Sequence, residues 1–510
     1  MNARSRFSRT ARDGASYVAE RAYEIVAFAL PMVIYARSAS SEPASWDTAE
    51  MQGVPYILGI AHPTGFPFYT ILGWFYSHVV VIGTVAFRMN VFSGACVAAA
   101  CLAGYLICRE LRVLKPVALA CVLWFAVTHD LWVHASRAEV HDLALALSAF
   151  SLLFALRWMR TADRRAFYAS ALLFGLGLAT HPFVIWLAPG LALALLLGRR
   201  SLSLKQVGKA VLLVCACLCL YFYLPLRSET VALLHQDPAA RLAGVNSSLF
   251  WDYNKPRTWD GFKAEVSGSQ FSANSAVLAA FDPHGYQPAL LNWLTLVSES
   301  YGAFVIPFAF FGLARCWQSN RAATAVLLVA CLGVVPFSYS YPSEGDGDRY
   351  RMLSLLLVAI LAACTCIDLR TRWQNLRAFA LTCLALFWGA STLVNNEATF
   401  GYRGQYGGRN IINLVAARVP PGSIVTVGWV DATSLAYGAY IDGSLSGRTI
   451  VSEGPGESAA YFAQWLTVGP VYIIAAPGTV FPNTRVAVLP DIDPWHGLFR
   501  VLGPAVKVVP

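Results

Sequence analysis

Long apolar runs separated by short polar interruptions dominate the first four-fifths of the chain. They fall at about 22–38, 89–108, 115–129, 140–156, 167–181, 182–198, 208–226, 300–314, 322–340, 352–368 and 376–393. Many approach the roughly 20 residues a helix needs to cross a ~30 Å hydrocarbon core. The pattern predicts an all-α polytopic membrane domain over residues 1–393, with about eleven transmembrane helices. One further run, 66–87, follows His62 and is flanked by prolines, which suits an interfacial segment better than a span. After residue 393 the pattern changes. NIINLVAARVPPGSIVTVGWVDATSLAYGAYIDG reads as helix, turn, strand and helix, and RTIVSEGPGESAAYFAQWLTVGPVYIIAAP as strand, loop, helix and strand. Such alternation predicts a small α/β domain with a partly parallel sheet over 394–510.

Positive charge orients the spans. Treating 66–87 as interfacial puts five basic clusters on the same side as the arginine-rich N-terminus: Arg109/Arg112/Lys115, Arg157/Arg160/Arg164/Arg165, Arg199/Arg200/Lys205, Arg315/Arg321 and Arg370/Arg372/Arg377. The positive-inside rule then gives an N-in, C-out topology whose first apolar run is a retained signal-anchor. Stretches 39–88, 130–139, 227–299 and 341–351, with the C-terminal domain, lie outside. Their acidic residues include Asp252, Glu344, Asp346 and Asp348.

Composition agrees with a bilayer. The 510 residues are 57% hydrophobic and 13% charged, with a mean hydropathy of +0.52, about half the charge of an ordinary soluble domain. The net charge of +9 is read as loop bias, and no basic patch with interleaved aromatics points to nucleic acid. All twelve cysteines fall in or beside apolar runs, so no structural disulfides are expected, and CACLC reads as packing. The SEGPGES loop matches no phosphate-binding fingerprint.

The chemistry concentrates on the outer face. Asp47 and Glu50 in SWDTAE stand three residues apart and share one side of a helix turn if a helix begins there. They read as a capping box and as a source of a general base whose pKa the membrane boundary raises, and the two are compatible, since a cap can hold Glu50 while Asp47 faces a cavity. His62 follows in AHPTGFPFY. Arg137 and Glu139 lie at the mouth of one span, Arg227 at another, and Arg349 and Arg351 at a third. Each arginine alone reads as a snorkelling anchor, but three such mouths beside one carboxylate loop point to an anionic ligand such as a phosphate. The Asp346/Asp348 pair is either a charged turn or a site for a hard cation; no other metal ligands stand out.

SWDTAE, AHPTGFPFY and RMNVFSG, in that order, resemble the GT-C glycosyltransferases, and within them the transmembrane O-mannosyltransferase-like family. RAEVHDLALAL, FGLGLATHP, YFYLPLRS and FWDYNKPRTWDGFKAEV extend the resemblance over roughly residues 20–270. The chain departs from the usual HPPGYP at Thr64 and Phe66, and has WDYNKP in place of a Trp-Gly-Asp-Pro-like stretch. The resemblance implies transfer of a mannose-like hexose from a polyprenyl phosphate to a hydroxyl, protein Ser/Thr foremost, with inversion. It implies Asp47 as general base and Glu50 as its partner. The topology adds His62, Arg137, Glu139, Arg227, Arg349 and Arg351 as candidates for the substrate and the donor phosphate. The lipid-linked donor is then the only co-substrate required, a divalent cation being an open possibility. The expected setting is a bacterial plasma membrane with the site facing outward and protein or glycan acceptors as partners. A flippase for a lipid-linked saccharide and a non-catalytic envelope assembly factor are the competing readings.

Overall fold

A computed structural model describes residues 3–198, 202–245, 247–271, 273–341, 347–367, 372–400, 407–452 and 458–504. Glu344, Asp346, Arg199, Arg200, Arg370 and residues 453–457 of the glycine-rich loop lie outside these. Among the described residues, six helical stretches are long and apolar enough to cross a bilayer, at Val85–Glu110, Val140–Thr161, Leu204–Leu233, Arg321–Ser340, Gly347–Cys366 and Asn375–Asn395, and eight qualify if two bent pairs each count as one. This is fewer than the eleven expected. Several expected spans are shorter helices, such as Arg164–Thr180 and Ala188–Gly198.

The bent pairs explain part of the difference. Lys115–Ala126 and His129–Ala135 meet at 71°, and the polar second piece turns away from the apolar first. Pro283–Tyr301 and Val305–Ser319 meet at 107°. Between them Gly302 has φ +80°, and an added Cβ would lie 2.6 Å from the Phe304 ring, so the sharp bend depends on glycine. The helix Tyr286–Tyr301 therefore starts well before the apolar run at 300.

Val85–Glu110 and Val140–Thr161 pack at the centre with Lys115–Ala126 and Met352–Ala363, where most side chains are buried. Leu204–Leu233 and Asn375–Asn395 are mostly exposed, as lipid-facing apolar helices would be. Cys217 of CACLC is buried where a Cβ on Gly175 would lie 2.9 Å from its own Cβ, a packing role. The run at 66–87 forms the helix Pro67–Val79 of 13 residues, about 20 Å long and too short to span.

The helix Arg372–Phe400 continues past residue 393. Beyond it a five-stranded sheet forms from β1 (Ile424–Thr426), β2 (Thr449–Val451), β3 (Val471–Ala475), β4 (Thr484–Asp493) and β5 (His496–Pro504), in the order β2-β1-β3-β5-β4. β1 pairs in parallel with β2 and β3, and the β4–β5 hairpin adds antiparallel to β3. The partly parallel sheet follows the sequence pattern; the hairpin was not predicted.

Candidate active site

The outer loops are pinned by the first long central helix. Asn90 Oδ1 accepts the Gln52 side-chain amide at 3.0 Å and the Ala138 N–H at 2.7 Å, while its Nδ2 donates to the Ser40 carbonyl at 3.0 Å. Ser93 Oγ accepts the Glu139 N–H at 2.9 Å. The asparagine and serine of RMNVFS thus tie the Asp47 loop to the Glu139 loop. Between them, Tyr223 OH donates to the carbonyls of Leu58 (2.6 Å) and Gly59 (2.9 Å). Arg227 Nε donates to Leu58 O at 2.6 Å. These bonds stabilise a turn in which Leu58 is left-handed at φ +52°, a conformation that a Leu rarely adopts unaided. A Cβ on Gly59 would fall 1.7 Å from the Phe250 carbonyl oxygen, so the WDYNKP block lies directly over this turn.

Asp47 lies in the helix Trp46–Gly53, whose N-cap is Ser45 with no side-chain cap bond. Neither carboxylate caps it: Asp47 Oδ1 accepts the Trp429 indole N–H at 2.9 Å, and Glu50 bonds His62. Glu50 Oε1 accepts the His62 backbone N–H at 2.9 Å and its Oε2 meets His62 Nδ1. Burial alone would lower the His62 pKa, but the Glu50 and Asp47 carboxylates outweigh it and raise it to about 9, so the ring is cationic at neutral pH. Burial pushes the Glu50 carboxyl up, against the pull of His62.

A cavity of about 240 Å³ opens beside these groups, lined among others by Asp47, His62, Glu139, His141, His181 and Arg349. Arg349 Nη1 is 3.8 Å from both Asp47 Oδ2 and Glu139 Oε2. Glu139 Oε1 holds His141 Nδ1 at 2.7 Å. Burial would raise the Glu139 carboxyl, but His141, Arg349 and Arg137 together hold it well below the ordinary range. Phe66, Phe183 and Tyr350 supply apolar wall. The cavity therefore offers two carboxylates, Asp47 at its rim and Glu139, together with a guanidinium, a cationic imidazole and an aromatic lining. That set can take a proton from a hydroxyl and compensate an anion.

Of the predicted residues, Asp47, His62, Glu139 and Arg349 line this cavity, and Glu50 stands behind His62. The other three arginines do not line it. Arg137 contacts His134 at 3.2 Å and borders a separate hollow with Ser40 and Gln52. Arg227 serves the 57–58 turn. Arg351 pairs with Asp348 and Asn292, which engages Asp348 in an ion pair. Among the described residues, no group of three or more His, Cys, Asp or Glu is placed to hold a metal. His141, His181 and Trp429 were not predicted. The first two stand in the quoted RAEVHD and ATHP blocks, whereas GWVD carried no local signal.

The fold is similar to those of solved GT-C membrane glycosyltransferases. ArnT from Cupriavidus metallidurans bound to undecaprenyl phosphate is 10% identical and matches with a TM-score of 0.55 over 93% of this chain and 97% of that one. The archaeal oligosaccharyltransferase AglB from Archaeoglobus fulgidus, in complex with an inhibitory peptide and a dolichol-phosphate, is 12% identical, with a TM-score of 0.52 over 89% of this chain and 70% of that one. Residues 47–204 match the family model of the protein O-mannosyl-transferase TMEM260 N-terminal domain, bearing out the resemblance read from the sequence blocks. No curated protein sequence matches the chain. The apolar helices and the fold shared with these membrane proteins support an integral membrane protein.

Proposed function

We propose that the chain transfers a mannose-like hexose from a polyprenyl phosphate to a hydroxyl, protein Ser/Thr foremost, on the outer face of a bacterial plasma membrane. The observation that carries this reading is the convergence of Asp47, Glu139 and Arg349 in one cavity at the end of the apolar helices. The bound undecaprenyl and dolichol phosphates of the two structural neighbours support a lipid-linked donor.

In this reading Asp47 takes the proton of the acceptor hydroxyl as that oxygen attacks the anomeric carbon. The bond from that carbon to the phosphate oxygen breaks on the opposite face, inverting the centre and releasing polyprenyl phosphate as an anion. Arg349 compensates the charge that develops there, and the His62 cation adds to the field. Glu139 holds His141 and stands beside Arg349; Glu50 keeps His62 charged and oriented. The lipid-linked donor is the only co-substrate required. Arg137, Arg227 and Arg351 act on loop structure, away from the reacting atoms.

Purified protein in proteoliposomes, given polyprenyl-phosphate mannose and a Ser/Thr peptide, tests this directly. Sugar appearing on the peptide is the expected result, with Arg349→Ala reducing kcat by about 10²–10³. Movement of the intact sugar lipid between leaflets without transfer would instead favour a flippase.

A further inference from the structure

The C-terminal domain reaches the cavity's carboxylate at a point that the reaction above leaves unused. Trp429 begins the helix Trp429–Tyr440 and donates its indole N–H to Asp47 Oδ1 at 2.9 Å. Its ring also meets His62 edge-on, with centroids 5.8 Å apart, and Tyr253 at 5.9 Å. The helix that carries it is clamped to the membrane domain along its length. Ser434 Oγ donates to the Ala44 carbonyl at 2.8 Å, and Tyr437 OH accepts the Ala86 N–H at 3.0 Å. One helix earlier, Arg409 Nε donates to Glu42 at 2.7 Å. Trp429 therefore has little freedom to leave Asp47. A charge-assisted N–H bond to one carboxylate oxygen fixes the plane of the group. The other oxygen, Oδ2, then faces Arg349 at 3.8 Å.

We propose that Trp429 is a positioning residue for Asp47, through which the C-terminal domain completes the active site. The bond to Oδ1 holds the carboxylate in one orientation, with Oδ2 beside Arg349 and open to the acceptor hydroxyl in the cavity. This rests on Asp47 being the general base. The other charged or titratable groups whose fields reach Asp47 are Arg349, His62 with Glu50 behind it, His141 and Tyr253.

The test uses the full chain in proteoliposomes with polyprenyl-phosphate mannose and a Ser/Thr peptide. Trp429→Phe is expected to lower kcat about 10- to 100-fold with little change in the donor KM. The thermal midpoint should stay near the parent's, as a loss of orientation rather than of binding or fold requires. Trp429→Gln, which returns an uncharged N–H donor, should recover part of the rate. Parent-like kcat in Trp429→Phe would overturn the proposal. So would a loss of rate accompanied by a raised donor KM or a lowered midpoint, the mark of general structural damage. Asp47→Asn separates the two layers. If it keeps the parent rate, the base reading itself fails; if it is inactive while Trp429→Phe matches the parent, only the positioning role fails.

Discussion

Asp47 and Glu50, equivalent by spacing, are given different work by their neighbours. Glu50 is fully buried under His62, whereas Asp47 keeps a third of its side chain exposed at the cavity rim. The sequence made the pair visible, and SWDTAE with AHPTGFPFY made His62 visible. It did not show that Glu50 answers to His62 rather than to Asp47, because that contact depends on how the 54–61 turn folds back. The pair has a consequence for stability. The His62 pKa is raised in the folded state, so the pair's contribution is fully present below about pH 6.5, the ordinary imidazole value. It is lost as pH rises through about 9. Thermal unfolding in detergent should show the midpoint falling across that window. Glu50→Gln should lower the midpoint at pH 7 and flatten its pH dependence between those limits. An unchanged slope in the variant would contradict the pairing.

Elements decide which charged side chains enter the cavity. Arg137, Arg227, Arg349 and Arg351 all sit at helix mouths, and hydropathy alone ranks them equally. Arg349 enters because it precedes Met352–Ala363 in the short turn Gly347–Arg351, whereas Arg351, half a turn later, faces Asp348 and Asn292. That difference is a rotation about one helix start, which composition and periodicity do not encode. Arg227 instead reaches across to the Leu58 turn. Arg227→Ala should therefore lower the thermal midpoint and kcat while leaving the donor KM near the parent value. A large rise in donor KM would show that Arg227 grips the phosphate after all. The helix count has a related origin. The bent pairs that break at Thr128 and Gly302 overlap the apolar runs 115–129 and 300–314 only in part, and their other halves fall in stretches that the sequence reading places outside.

For the whole molecule, the two-part plan of membrane helices and a C-terminal sheet domain was legible because each half has its own hydrophobic period. Their junction was not, since the Trp429–Asp47 bond joins residues 382 apart and GWVD has no motif to announce it. The N-in, C-out topology makes a separate prediction. Val480 and Leu204 are both strongly exposed, and they fall on opposite sides in that topology. Val480→Cys should react with a membrane-impermeant maleimide added outside intact cells, and Leu204→Cys only after permeabilisation; the reverse pattern would invert the topology. The central claim is that Asp47 supplies the base for sugar transfer in the cavity it shares with Arg349. The most direct test is the single-turnover rate of Asp47→Asn in proteoliposomes loaded with polyprenyl-phosphate mannose and a Ser/Thr peptide. The account predicts a loss of about 10²–10⁴-fold with donor binding retained, and a variant that transfers sugar at the parent rate would contradict it.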